Sequence, residues 1–195
     1  MRAILSPYSS EDGWQAEFFQ EKSLCALPIA GKPYAEHLID LCSLMGVDGV
    51  LIRDYNYDLE FGKEVMAGHR WPLEVNYQGA ALSRSAMKMN AQHKAFLGGD
   101  DVVILNGSIL PMPSSAHELL NDMEPMEDDT LGDGVYLLRK GKLWRSKAPV
   151  KVLHSVKDYF DINFELMETP GVYVLPGYSA ENSVYMGMNV AIMSE

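Results

Sequence analysis

The chain is short of several things, and each shortage closes off a class of protein. No apolar run approaches the roughly 18–20 residues of a membrane span, so no membrane partner is expected. Basic residues are few: 16 Lys and Arg stand against 27 Asp and Glu, for a net charge of −11. Nucleic acid or an anionic membrane surface would need a basic face, so neither is expected as a partner. Cysteine occurs twice, as Cys25 and Cys42, in apolar surroundings and without CxxC spacing. Two buried, reduced core residues of a cytoplasmic protein are the simplest expectation. The five histidines show no HxxxH spacing, and no Gly-x-Ser-x-Gly occurs. Neither a zinc-binding helix nor a nucleophile elbow is therefore expected. The opening MRAILSPYSS has one Arg and no long apolar core, so no signal peptide is expected.

What is present is enough for a substantial core. Apolar residues make up 47% of 195, which suits one sizeable domain with an appendage. RAIL at the start has the apolar content of a first strand. Leu38, Leu41, Leu44 and Met45 share a face of a helix running from Tyr34 to about Met45, which Gly46 closes. Strands are expected at Val50-Leu51-Ile52 and at 73–77. Helices are expected at 58–67 and from about Ala80 to His93. Val102-Val103-Ile104-Leu105 reads as a fully buried strand. Strands alternating with helices imply βαβ units and a three-layer α/β fold with a mainly parallel sheet.

Beyond residue 113 the pattern changes. A short helix is expected at 115–122, then a solvated acidic loop, NDMEPMEDDT. GVYLLRKGKLWRS reads as a hairpin turning near Lys140-Gly141. Its basic residues, with Lys147 and Lys151 beyond, suit a charged edge that resists edge-to-edge pairing. Ser155 with Asp158 three residues on, and Tyr159, Ile162 and Leu166 on one stripe, predict a capped helix over 155–167. In the tail, Val184 and Val190 stand six apart with Gly187 and Asn189 between them. That spacing fits one hexapeptide repeat of a left-handed parallel β-helix, and equally an ordinary terminal strand. At least about three repeats are needed to bury a continuous core. A β-helical start at 171–195 therefore calls for more chain past Glu195, or for pairing with residues 1–170 or another subunit, giving a homo-oligomer.

Chemistry is concentrated in two segments. In LPIAGKPYAEHLIDL, residues 27–41, a Gly-Lys-Pro opens the helix at Tyr34. An ammonium beside a helix N-terminus favours a phosphate, while a solvated lysine before a Pro-started helix is the plainer alternative. In VVILNGSILP, residues 102–111, Asn106-Gly107-Ser108 follow a buried strand, where open α/β sheets bind ligands.

The order of segments resembles the sugar-1-phosphate nucleotidyltransferases, the nucleotide-sugar pyrophosphorylases. Leu27-Pro28, Lys32-Pro33, the helix, Gly46 and Val50-Leu51-Ile52 follow that family's Lys-Pro segment. QGAALSRSAMKM is similar to its Gly-Thr-Ala turn and following helix, VVILNGSILP to its strand ending in Asn-Gly-Asp, and SVKDYFDINFELM to its closing helix. The resemblance implies a nucleotidyltransferase-like fold and a nucleoside triphosphate and a sugar 1-phosphate as ligands. It gives Lys32 a phosphate role, Gly79 the close approach to the nucleotide, and Asn106, Gly107 and Ser108 the metal-side wall.

Departures from the pattern are as informative. The stretch after the first strand, SPYSSEDGWQAEFFQEKS, has Gly13 alone in place of a Gly-rich phosphate loop, and bulky Trp14, Phe18 and Phe19. The family's metal-binding aspartate falls on Ser108, a poor sole ligand for Mg²⁺. Its Gly-Thr-Ala is Gly79-Ala80-Ala81. Asp100 and Asp101 precede the strand and are expected to be turn residues, and Asp161 an exposed helix acid. Mg²⁺ as a cofactor is thus left without its usual acid. Two functions stay open: nucleotidyl transfer at a degenerate site, or a non-catalytic binding or assembly module attached to a β-helical part.

Overall fold

The computed structural model describes residues 1–8, 23–56, 58–67, 71–79, 95–98, 101–111, 116–168, 179–181 and 184–186. Its centre is a seven-stranded sheet. Four strands are parallel: β1 (Arg2–Ser6), β4 (Gly49–Asp54), β5 (Glu74–Gly79) and β6 (Val102–Asn106). Three are added antiparallel beyond β6: β9 (Gly134–Arg139), β10 (Lys142–Ser146) and β8 (Met123–Pro125), so that the order is β5-β4-β1-β6-β9-β10-β8. Runs such as Val50-Leu51-Ile52 and Val102–Leu105 are apolar throughout because both faces of the parallel strands are covered.

The larger core lies on one face. There α1 (Tyr34–Leu44), α2 (Leu59–Ala67) and α4 (Val156–Glu168) pack Leu38, Leu41, Phe61, Val65, Tyr159 and Ile162 against Ala3, Leu5, Val50, Ile52, Val103 and Leu105. The smaller core on the other face joins Ile4, Val102, Ile104 and Tyr136 to Leu97, Leu131 and Leu143. The connections β1–α1–β4 and β4–α2–β5 carry the chain to one edge. Before the chain enters β6 beside β1, Leu97 packs on the other face. The direction of winding reverses between β1 and β6, which makes their carboxyl ends the switch point of the sheet. This is the expected three-layer α/β architecture.

Local signals explain several elements. The β9–β10 hairpin turns through Lys140 and Gly141, both with positive φ (50° and 73°), the geometry of a tight primed turn. A smaller hairpin, β2 (Pro28–Ile29) with β3 (Lys32–Pro33), turns in the same way through Ala30 (φ 47°) and Gly31 (φ 78°). Ser155 caps α4: its hydroxyl accepts from Asp158 N (3.2 Å) and donates to the Asp158 carboxylate (2.8 Å). Cys25 and Cys42 are free thiols with no exposure.

Other expectations need correction. The acidic stretch is not all loop: Met123–Pro125 form an edge strand on β10, with Met123 packed against the larger core and Pro125 at the edge that needs no further donor. The short helix α3 spans only Glu118–Asn121 of the expected 115–122. The helix expected at 80–93 falls outside the described residues. In the tail, β12 (Ser179–Glu181) and β13 (Val184–Met186) pair antiparallel. The rest of the hexapeptide segment lies outside the described residues. Among the described residues no helix is long and apolar enough to cross a membrane. A further two-stranded sheet, β7 (Ile109–Pro111) with β11 (Val150–Val152), runs from the end of β6 towards α4.

Candidate functional site

The carboxyl ends of β1, β4, β5 and β6 carry the polar residues of the sheet. Even-numbered positions of β1 and β6 face the smaller core, whereas Val50, Ile52 and Tyr77 face the larger one. By strand alternation, Ser6, Arg53, Gln78 and Asn106 therefore all point to the smaller-core face. The register aligns them: Ser6 is beside Asn106, Arg53 is beside Gln78, and Ser6 and Arg53 follow the pair Leu5–Ile52. One polar row thus crosses four adjacent strands at the switch point. Ser6, Arg53 and Asn106 are buried, Arg53 with 8% of its surface exposed.

At the end of β6 the chain bends sharply. Gly107 has φ 91°, and a Cβ there would collide with the Asp133 carboxylate, so only glycine allows the approach. The bend is pinned on every side. Gly107 N donates to Ser6 O (3.0 Å), Leu153 N to Ser108 O (2.8 Å), and the Tyr34 hydroxyl to Ile109 O. Asn106 Nδ2 donates to Gly132 O (2.9 Å) and reaches the Tyr8 hydroxyl (3.4 Å), and Ser108 Oγ donates to Tyr8 O. Tyr8 in turn meets Tyr55 edge to face, ring centroids 6.0 Å apart. Asp133 pairs with His154 Nε2 at 3.6 Å. The antiparallel register that sets Asn106 opposite Gly134 brings the acid here.

Lys32 has another partner. On β3, its ammonium forms an ion pair with Asp40, a carboxylate with no exposure on α1, while Trp71 Nε1 donates to the second oxygen at 2.6 Å. His37, one turn earlier on α1, donates from Nε2 to Ile29 O at 2.8 Å. Burial first, and then the Lys32 charge, lower its pKa from 6.5 to about 4, so the imidazole is neutral near pH 7.

Asp54, at the end of β4, faces the larger core and is capped by Ser23 Oγ, the Tyr77 hydroxyl and Asn56 N (3.1 Å). Burial and next this carboxylate push the Tyr77 hydroxyl and the Cys25 thiol up, which keeps both protonated. The Ser23–Asp54 bond fixes the 3-10 turn Leu24–Ala26 that leads into the β2–β3 hairpin.

The expected site residues are therefore distributed over the sheet. Asn106, Gly107 and Ser108 form one bend, and Gly79 ends β5 at the edge of the sheet, about 14 Å away across three strand spacings. Lys32 lies on the hairpin, tied to α1. Ala80 and Ala81 fall outside the described residues. Asp101 sits at the opposite end of β6, paired with Arg139 (2.6 Å), and Asp161 is exposed and paired with Lys157. Arg53 and Asp133 are functional candidates that sequence reasoning passed over. A lone cation in an apolar strand, VLIRD, was the signal for Arg53; Asp133 had none without the register.

The donors at the bend do not suit Mg²⁺. This cation prefers several hard oxygen ligands in octahedral array. The bend offers one carboxylate, already paired with an imidazole, and a hydroxyl turned onto Tyr8 O. Among the described residues no group of three or more metal-ligating side chains occurs.

No protein-family model matches the chain, and no curated protein does. Solved structures do. HddC from Yersinia pseudotuberculosis superposes with a TM-score of 0.54 at 10% identity, over 85% of this chain and 98% of the other. A putative glucose-1-phosphate thymidylyltransferase from Bacillus anthracis gives 0.43 at 13% identity, over 56% of this chain and 44% of the other. The first likeness is one of fold.

Proposed function

We propose that the chain is a sugar-phosphate nucleotidyltransferase-like protein whose crevice at the ends of β1, β4 and β6 takes a nucleoside triphosphate and a sugar 1-phosphate. The observation that carries this reading is the Asn106-Gly107-Ser108 bend at the switch point, with a buried polar row beside it. The order of sequence segments and the fold shared with HddC support it. In the reaction, an oxygen of the sugar phosphate forms a bond to the α-phosphorus while the bond to the β-phosphate bridging oxygen breaks. A nucleotide sugar and pyrophosphate result. Such a displacement needs positioning and neutralisation of charge more than covalent chemistry.

A second reading has specific support. Lys32 is engaged by Asp40, the Ser108 hydroxyl by Tyr8, and the donors at the bend do not suit Mg²⁺. A domain that binds a phosphorylated ligand without turning it over, and that associates through residues 171–195, accounts for these features. Pyrophosphate release with triphosphate and sugar 1-phosphate panels, with and without Mg²⁺, separates the two. Thermal unfolding runs alongside: ligand at ~100 times its dissociation constant stabilises the fold by about 2.7 kcal/mol. Release supports transfer. Stabilisation without release supports the module, and no response to any of these ligands refutes both.

A further inference from the structure

Arg53 is the one charged side chain in the polar row, and its position is costly. The preceding positions of β4, Val50, Leu51 and Ile52, are apolar and fully buried, yet the guanidinium sits in the same strand with 8% exposure, and its Nε has no hydrogen-bond partner among the described residues. Arginine keeps its charge at any physiological pH. A buried charge normally has a counter-charge and a satisfied set of donors. Asp54, adjacent in sequence, does not supply one: alternation turns it to the opposite face, where Ser23, Tyr77 and Asn56 occupy it. No salt bridge of Arg53 to a described carboxylate exists.

The surroundings match an anion with several oxygens. Ser6 lies beside Arg53 on β1, Gln78 beside it on β5, and Asn106 beyond Ser6 on β6. The Ser6 hydroxyl and the Gln78 carboxamide are of types that can donate, while Asn106 Nδ2 is held by Gly132 O and the Tyr8 hydroxyl and lines the row. The row ends at the carboxyl side of the parallel strands, beside the switch point. The geometry points to Arg53 as the anchor for a phosphoryl group of the bound ligand, its planar fork gripping two oxygens at once. The assignment rests on the crevice proposed above being the ligand site. It gives that crevice a fixed positive charge of its own, where the sequence lacks a Gly-rich loop after β1 and has Ser108 in place of the family's metal-binding acid.

The test uses Arg53→Met and Arg53→Gln in the full chain, with inorganic pyrophosphate and a nucleoside triphosphate panel as probes. Urea unfolding and calorimetric binding are the readouts. The native protein should be stabilised by pyrophosphate. Arg53→Met, freed of an unpaired buried charge, should be at least as stable as the native protein without anion, and should bind pyrophosphate about 30-fold or more weakly. The order of stabilities then reverses on adding pyrophosphate. If Arg53→Met does not fold, Arg53→Gln decides on affinity alone. An unchanged pyrophosphate affinity in either folded variant overturns the assignment, as does a native protein that answers to no phosphate at all. Triphosphate binding that ignores Arg53 sinks the anchor but leaves the proposed function standing. Pyrophosphate held through Arg53, with no triphosphate bound more tightly, sinks the proposed function and leaves the anchor.

Discussion

Acid should weaken this protein through one identifiable residue, His37. In the folded chain its imidazole is 6% exposed, donates to Ile29 O, and has a pKa of about 4 instead of 6.5. An unfolded chain takes up the proton near pH 6.5 and the folded one only near 4. The stability due to keeping His37 neutral is therefore fully present above pH 6.5 and is lost as pH falls through that window towards 4. The difference corresponds to about 3 kcal/mol, a large share of the 5–15 kcal/mol typical of a domain. Carboxylates also titrate at the lower end, so the informative quantity is a difference between proteins. Urea unfolding from pH 7.5 to 4.5 should give native protein a steeper fall than His37→Gln. Lys32→Met, which removes the second cause of the lowered pKa, should give an intermediate slope. Equal slopes for native protein and His37→Gln would refute the reasoning.

Three further substitutions probe the same region and the bend. Lys32→Met leaves the Asp40 carboxylate buried with Trp71 Nε1 as its side-chain donor among the described residues, and should cost about 3 kcal/mol at pH 7, read as a lowered urea midpoint. Ala30→Gly relieves a left-handed residue (φ 47°) in a tight turn, and should raise stability by about 1 kcal/mol; a loss would mean the Ala30 methyl packs usefully. Gly107→Ala brings a Cβ into the Asp133 carboxylate at φ 91° and should destabilise by about 2 kcal/mol or more. Adding Asp133→Ala should recover part of that loss, and no recovery would show that backbone strain accounts for all of it.

Much of the architecture was legible because it depends on local pattern. The apolar runs of β1, β4 and β6 announce a two-faced parallel sheet, Lys140-Gly141 a hairpin, and Ser155 with Asp158 a helix start. The parts that were missed depend on pairing across the chain. Met123–Pro125 become a strand only because β10 offers an open edge. Asp133 meets Gly107 through a register between strands about 30 residues apart. Lys32 was read as a phosphate ligand or a solvated charge, because its partner, Asp40, sits eight residues on, on the buried side of a helix. The row from Gln78 to Asn106 needs four strands in the right order, and no window of sequence contains it.

The small β2–β3 hairpin has a consequence in time. Asn163 Oδ1 accepts from Ala30 N at 2.7 Å, and the Tyr159 hydroxyl donates to Pro28 O at 2.6 Å. Both clasps come from α4, 133 and 131 residues later. At about 5–20 residues per second of synthesis, roughly 7–25 s separate the hairpin from the helix that holds it. During translation the first half of the chain must wait with Pro28 and Ala30 unclasped, in reach of chaperones. A stop or frameshift before residue 156 would yield a chain with every parallel strand of the sheet but an unheld hairpin.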